Sequence, residues 1–337
     1  MNKALFFIVA LLVPSLACAG GPSIDLSAQK SAGGGVACDI GPTYSGPVPA
    51  EASQAGLTTC AANYDFTTSA YSNLSSWLDC TQYGTGTGQW HIGVAGFPSW
   101  GGCNAFSMVA DSIIGKQVLQ IEYPSGTNSI ESMSTQGNEG TGTIELGLPY
   151  TYYIETVYRM VGLCGNCAQN QGGPNGLFVW SNNWHNLEDD LGELYVDTGG
   201  FGDKGWINWA AGACGSGNCI IPASYKGDYP PSWGGVTAYT KYGSLVTSNG
   251  TNAYWCTYLN DTLIDGKCFT PPGGPNTNSL QNNVNVLILQ TQGNNNPQNY
   301  DLRVQYIRVF SCPSYKTGRC YGTTVTSGPK SETFYHQ

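Results

Sequence analysis

The chain has 337 residues, a net charge of −9 and only 10% charged residues, where a typical soluble domain carries about 25%. Its 13 basic residues are too few for the positive patch that phosphate binding needs, which disfavours a nucleic-acid partner. The Ala/Leu/Glu/Lys periodicity of helix bundles is missing, and an aromatic content of 12% disfavours wholesale disorder.

Met1 to Ala19 has the layout of a secretory signal. Lys3 supplies the positive start, Ala4 to Val13 an apolar run, and Ala17-Cys18-Ala19 a small-x-small cleavage site before Gly20. A membrane anchor is disfavoured because the run is short of the ~20 residues needed to span. A lipoprotein site at Cys18 fits less well, since Ser15 stands where such sites prefer Leu. Cleavage after Ala19 leaves 12 of the 13 cysteines, an even number suited to a disulfide framework in an exported chain. Closeness in sequence suggests Cys164–Cys167, Cys214–Cys219, Cys256–Cys268 and Cys312–Cys320. Cys38–Cys60 and Cys80–Cys103 are a looser assignment. Cys164-Gly-Asn-Cys167 could also be a redox motif or half a zinc site, but no second CxxC or His cluster accompanies it.

Residues 20–60 are rich in Gly, Ser, Ala and Pro and read as an extended arm. Residues 61–312 alternate short β-like runs with Gly, Asn, Ser and Pro clusters. The runs are Gln117–Tyr123, Thr141–Leu146, Tyr152–Val161, Leu177–Trp180, Leu187–Val196, Ala253–Leu259, Val284–Gln290 and Leu302–Phe310. Their β-branched and aromatic content, and the turn residues between them, predict an all-β sandwich of two large sheets. Residues 313–337 form a polar tail held by Cys320.

In a chain so poor in charge, one acidic run stands out. Trp184-His185-Asn186-Leu187-Glu188-Asp189-Asp190-Leu191-Gly192-Glu193 carries four acids in six positions. On a regular strand Glu188 and Asp190 share a face and Glu193 falls on the other. One extra residue restores the alignment, and Gly192 suits such a bulge. The outer Cα atoms would then lie about 13 Å apart. Two Glu side chains leaning over the Asp could bring their carboxyls to roughly 5–6 Å, near the separation in a retaining glycosidase. Such crowding must raise at least one pKa, keeping an acid protonated. A solvated acidic turn or a calcium site remains the alternative. A shifted register, with Glu193, Tyr195 and Asp197 on one face and Leu194 and Val196 on the other, also remains open.

With this motif the chain resembles glycoside hydrolase family 16, whose signature is E-x-D-x-x-E. Glu188, Asp190 and Glu193 match the bulged form. Four flanking segments extend the resemblance. Tyr152-Tyr153-Ile154-Glu155 is similar to the family's Y-G-Y-F-E strand, and Gly176-Leu177-Phe178-Val179-Trp180 to its apolar strand before the first catalytic Glu. Tyr239-Thr240-Lys241-Tyr242-Gly243, with Tyr258-Leu259-Asn260, is similar to F-H-T-Y-G with W-Y-V-D-G. Val304 to Phe310 is similar to the closing V-D-Y-V-R-V-Y strand. The resemblance covers about 115–312. It implies a concanavalin A-like jelly roll and a retaining mechanism with Glu188 as nucleophile, Glu193 as acid/base and Asp190 between them. Three positions depart from the pattern. Asp189 replaces an inward Ile, Leu or Val, where a buried charge is costly. Thr240 replaces a frequent His. Gln305 replaces an Asp that often helps hold calcium, so no metal and no cofactor are expected.

Sugar rings stack their C–H faces on aromatic side chains and offer hydroxyls to planar polar groups. Trp184, Trp206, Trp209 and Trp233, with Asn183 and His185, are the substrate-binding candidates. They lie near the acids in Gly-, Asn- and Ser-rich loops. Each tryptophan could instead fill core beneath the loops. The leading reading is a secreted, monomeric, endo-acting hydrolase or transglycosylase of a β-linked polysaccharide, such as a β-glucan, free of the membrane after signal cleavage. A non-catalytic carbohydrate-binding jelly roll is the alternative. A polysaccharide lyase is a third reading, disfavoured by the scarcity of Arg and Lys.

Overall fold

The computed structural model describes residues 35–82, 88–93, 99, 101–123, 130–136, 146, 151–161, 172–181, 188–196, 237–248, 253–269, 285–292 and 300–316. In chain order, the strands are β1 (Cys38–Ile40), β2 (Thr59–Asp65), β3 (Leu78–Asp79), β4 (Trp90–Ile92) and β5 (Phe106–Asp111). Then come β6 (Lys116–Tyr123), β7 (Ile130–Ser134), β8 (Tyr152–Val161), β9 (Gly172–Ser181) and β10 (Glu188–Val196). The last are β11 (Thr240–Ser248), β12 (Ala253–Leu259), β13 (Thr262–Phe269), β14 (Asn285–Gln292) and β15 (Tyr300–Ser311).

Among the described residues these strands form two sheets. One runs β1-β2-β15-β8-β11-β12-β13, with β6 also beside β15 and β5 beside β6; the other runs β10-β9-β14-β7-β4-β3. The pairs are antiparallel except β1–β2 and β3–β4. Alternation along the strands builds the core between the sheets. Tyr152, Ile154, Tyr158 and Met160 of β8 meet Leu177 and Val179 of β9, Leu287 and Leu289 of β14 and Met133 of β7 in one buried cluster. On β15 the inward residues are Leu302 and Val304, then Ile307 and Val309. The change of parity coincides with an irregularity between Val304 and Tyr306.

The larger sheet is covered on its outer side as well. Residues 36–57, including the short helix α1 (Ala50–Gln54), lie over Tyr153, Leu245, Tyr258 and Phe310 and build a second apolar cluster. The Cys38–Cys60 disulfide fastens this segment to β2. Cys80–Cys103 is also formed. Cys256 and Cys312 are disulfide-bonded as well, and Cys268 sits directly opposite Cys256 in the β12–β13 ladder. Cys164, Cys167, Cys214, Cys219 and Cys320 lie outside the described residues.

Six of the eight expected strands coincide with observed ones to within about two residues at each end, and Leu177–Trp180 is the end of the longer β9. The Thr141–Leu146 run lies outside the described residues apart from a buried Leu146. The sequence reading missed β1 to β5, β7, β11 and β13. β11 carries Gly243 amid Lys, Ser and Thr, and it is a strand because β8 and β12 flank it on both edges. The β12–β13 hairpin turns on Asn260 and Asp261, both at positive φ, as a two-residue hairpin loop requires. No described helix is long and apolar enough to cross a membrane.

Candidate active site

The acidic run lies on β10, which pairs with β9 at one rim of the smaller sheet. Glu188 is opposite Trp180, Asp189 opposite Val179, Asp190 opposite Phe178 and Leu191 opposite Leu177. The register then slips, so that Leu194 is the next paired residue, opposite Asn175. Gly192 sits in the slip at φ +67°, the left-handed conformation of a glycine bulge. A side chain at 192 would collide with the ring of Tyr242 and the hydroxyl of Tyr158.

The bulge is held from the facing sheet. Tyr158 stacks on Tyr242 with ring centroids 4.5 Å apart. Its hydroxyl reaches the Leu191 carbonyl and, at 2.7 Å, the Gly192 carbonyl. On the β9 side, Asn175 Nδ2 donates to the Leu194 carbonyl at 3.0 Å. Asp189, Leu191 and Leu194 are consequently all buried in the sandwich. By alternation across the bulge, positions 188, 190 and 193 fall on the opposite face.

The departure at Asp189 has a structural answer. The carboxylate is 1% exposed, and its Oδ2 accepts hydrogen bonds from Ser244 Oγ at 2.8 Å and Tyr152 OH at 3.0 Å. Among the described residues Oδ1 has no hydrogen-bond partner. Burial pushes the pKa up, the two hydrogen bonds pull it down, and it settles at about 6. A position that normally takes an aliphatic residue therefore holds a carboxylic acid in its neutral form below that pH.

The outer face of the smaller sheet can be followed strand by strand. From Asp190 the ladder steps to Phe178, Ile288, Ser134, His91 and Asp79. These residues alternate with Leu177, Val179, Leu287, Leu289, Met133, Trp90 and Ile92, which belong to the core. Phe178 and Ile288 form an apolar floor beside Asp190, both buried. A second row, Gly176–Gln290–Ser132, runs beside the bulge and is built of small and amide side chains. Four strand spacings away, about 19 Å, His91 Nδ1 lies 3.3 Å from Asp79 Oδ2, and its Nε2 has no hydrogen-bond partner among the described residues.

Of the residues expected from sequence, Glu188, Asp190 and Glu193 are placed here through their strand positions. Asn183, Trp184, His185, Trp206, Trp209 and Trp233 lie outside the described residues. The sequence reading missed the support beneath the acids. Tyr152, Tyr158 and Ser244 come from two distant strands, and nothing in the local sequence marks them as partners of β10. Among the described residues, no group of three or more His, Cys, Asp or Glu side chains could hold a metal ion.

No protein-family model matches the chain, and no curated protein matches it. Solved structures do. An endo-1,3-β-glucanase from Streptomyces sioyaensis matches with a TM-score of 0.50 and 16% identity, over 75% of this chain and 95% of that one. A GlcNAcα1-4Gal-releasing endo-β-galactosidase from Clostridium perfringens matches at 0.43 and 14%, over 69% and 62%. The β-agarase B of Zobellia galactanivorans matches at 0.37 and 12%, over 57% and 75%. The chain thus has the two-sheet jelly-roll fold of the Streptomyces endo-glucanase.

Proposed function

We propose that the protein is an exported, endo-acting glycoside hydrolase that cleaves a β-linked polysaccharide by a retaining double displacement. The observation that carries this reading is the Gly192 bulge. With Asp189, Leu191 and Leu194 turned inward, alternation leaves positions 188, 190 and 193 together on the other face, the spacing that paired carboxylate chemistry needs.

Glu188 attacks the anomeric carbon and forms a glycosyl-enzyme ester, while Glu193 protonates the departing glycosidic oxygen. Glu193 then takes a proton from the incoming water, or from an acceptor sugar in transglycosylation, and the ester is broken with net retention. Asp190, between the two, orients the nucleophile and tunes where the proton resides. Trp184, Trp206, Trp209 and Trp233, with Asn183 and His185, supply stacking platforms and hydroxyl partners. The chemistry requires neither metal nor cofactor. The disulfides fit an oxidising compartment, in keeping with the signal-like start of the chain.

The glucanase that shares the fold acts on β-1,3-glucan, which makes laminarin the first substrate to try. The experiment is reducing-sugar release from laminarin, mixed-linkage β-glucan, cellulose derivatives and agarose, with product sizes resolved. Short oligosaccharides from one of these polymers support the reading. Binding without release of reducing ends from any of them would identify a carbohydrate-binding jelly roll instead.

A further inference from the structure

The proposed reaction uses the outward residues of the acidic run and leaves the inward one without a role. Asp189 stands between positions 188 and 190, and its neighbours Leu191 and Leu194 on the same face are ordinary core residues. An aliphatic side chain at 189 would fill the space without desolvating a polar group. Yet the facing sheet is built to receive a carboxyl there. Ser244 Oγ from β11 and Tyr152 OH from β8 converge on one oxygen, Oδ2, at 2.8 and 3.0 Å.

The place of β10 in the sheet explains what such a link can do. Among the described strands, β10 pairs only with β9, so one ladder fixes its register but not its height over the facing sheet. That height rests on side chains crossing the sandwich. Among the described residues two such links are present, two to three residues apart: Tyr158 at the Leu191 and Gly192 carbonyls, and the Tyr152–Ser244 pair at Asp189. Apolar packing tolerates sliding, whereas a hydrogen bond is directional. We propose that Asp189 is a positioning residue, which hangs the rim strand from the facing sheet through Tyr152 and Ser244 and so fixes the backbone on either side of it, from which Glu188 and Asp190 project. The proposal rests on the reading of those two residues as reacting groups.

The link is also sensitive to protonation. Asp189 meets Tyr152 of β8 and Ser244 of β11; the inward residues beside these on their own strands are Ile154 and Tyr158, and Tyr242 and Val246, and Val179 pairs with Asp189 on β9. Among the described residues, no charged side chain contributes to its shift. The charged residues of its own strand, Glu188, Asp190 and Glu193, are at positions on the other face. With its pKa raised to about 6, the group is a neutral acid at mildly acidic pH. Above that pH it becomes a buried anion one residue from each reacting carboxylate and opposes their ionisation.

The test uses the full-length protein with laminarin as probe and compares D189N, D189L and the double variant Y152F/S244A. Asn keeps an oxygen for Tyr152 and Ser244 but cannot ionise; Leu keeps the bulk and accepts nothing. At pH 5, D189N should keep kcat within about three-fold, while D189L and Y152F/S244A should each lose about 100-fold, the scale of a small misplacement of reacting groups. KM should change less than about two-fold in all three, and the alkaline limb of the kcat profile should move to lower pH in D189N, where no buried anion holds up the pKa of the general acid. Hydrogen exchange at the amides of 188–194 should be faster in D189L and Y152F/S244A than in D189N and the parent protein. This readout needs no substrate. Equal exchange in all variants, D189L as active as D189N, or a D189N pH profile identical to the parent's would each overturn the proposal. Faster exchange in a protein that hydrolyses no polymer would support the anchor and overturn the proposed function instead.

Discussion

Tyr158 donates its hydroxyl across the sandwich to the backbone carbonyl of Gly192, 2.7 Å away, so a side chain of one sheet fixes a backbone irregularity of the other. Three features meet at this point. The glycine has a left-handed φ, the space above it is filled by Tyr242, and the carbonyls freed by the register slip find a donor. Each depends on the others.

Gly192→Ala should therefore be costly on two counts. The left-handed conformation disfavours any L side chain by about 1–2 kcal/mol, and overpacking against Tyr242 adds roughly 1–3 kcal/mol. Urea denaturation should show the midpoint falling at unchanged m-value. Tyr158→Phe keeps the stack on Tyr242 and should lose about 1 kcal/mol or somewhat more, because two buried carbonyls lose their donor. Hydrolysis should fall further than stability in both variants. A fully stable and active G192A would mean that the bulge is dispensable.

The chemistry is tested at the outward acids. Glu188→Gln should abolish turnover while polymer binding persists, since the amide keeps the shape but cannot attack. Glu193→Gln should be crippled on polymer, yet azide should restore part of its activity on an aryl glycoside, where the leaving group needs no proton. Losses on the order of 10³-fold or more are expected for both. Asp190→Asn should be slowed without being silenced. NMR of the first-formed anomer should show retention. An inverted product would remove the assignment.

Stability should peak in mildly acidic solution. Burial raises Asp189 to about 6, Asp301 to about 6, and Glu131 above its usual range. Each of these binds its proton more tightly folded than unfolded. Their contribution is complete below the unfolded carboxylate pKa of about 4; for Asp189 and Asp301 it is lost as pH rises through about 6, and for Glu131 as pH rises above the ordinary carboxylate range. For Asp189 the loss is about 3 kcal/mol. Asp111 works in the opposite sense. Its burial would raise the pKa, but hydrogen bonds from Arg159 at 2.7 Å and Arg303 at 3.0 Å outweigh it and hold the group well below the carboxylate range. That contribution is present above about pH 4 and is lost in stronger acid. Thermal unfolding across pH 3–8 should show a maximum near pH 4–5, and D189N should flatten the limb between pH 4 and 6. A Tm rising steadily from pH 4 to 7 would contradict these shifts.

The disulfides give a third handle on stability. The Cys38–Cys60 bridge spans 22 residues of sequence, and closing a loop of about that length is worth roughly 3 kcal/mol in the chain-entropy model. Thiol titration of the unfolded, unreduced protein should find almost no free thiol. Cys38→Ser with Cys60→Ser should loosen residues 36–57, read as faster proteolysis at the arm. Several titratable thiols in the parent protein would refute the framework.

What the sequence disclosed about this site, and what it hid, follows from the range of each interaction. The Gly192 bulge was legible because the spacing of Glu188, Asp190 and Glu193 needs one extra residue and a glycine stands at the right place. Asp189 was visible as a misfit, but its partners were not: Tyr152 and Ser244 lie 37 and 55 residues away. β8, β12 and β15 were legible from their aromatic and β-branched runs. β2, with Ala61, Ala62 and Asn63 at its centre, is a strand because β15 and β1 pair with it. Trp184, Trp206, Trp209 and Trp233, proposed to stack on sugar rings, lie outside the described residues.

The segment fastened by Cys38 and Cys60 changes how the larger sheet tolerates mutation. In a sandwich open on one side, every second residue of a strand faces water and can vary freely. β8 has no such side: nine consecutive residues, Tyr152 to Met160, are buried. Saturation mutagenesis along β8 should show intolerance at every position, without a two-residue rhythm, whereas β5, whose middle four residues are only partly buried or exposed, should accept change. Adaptive drift in this protein would then be confined to the sheet rims and loops, leaving its central strand invariant for packing reasons that have no connection with catalysis.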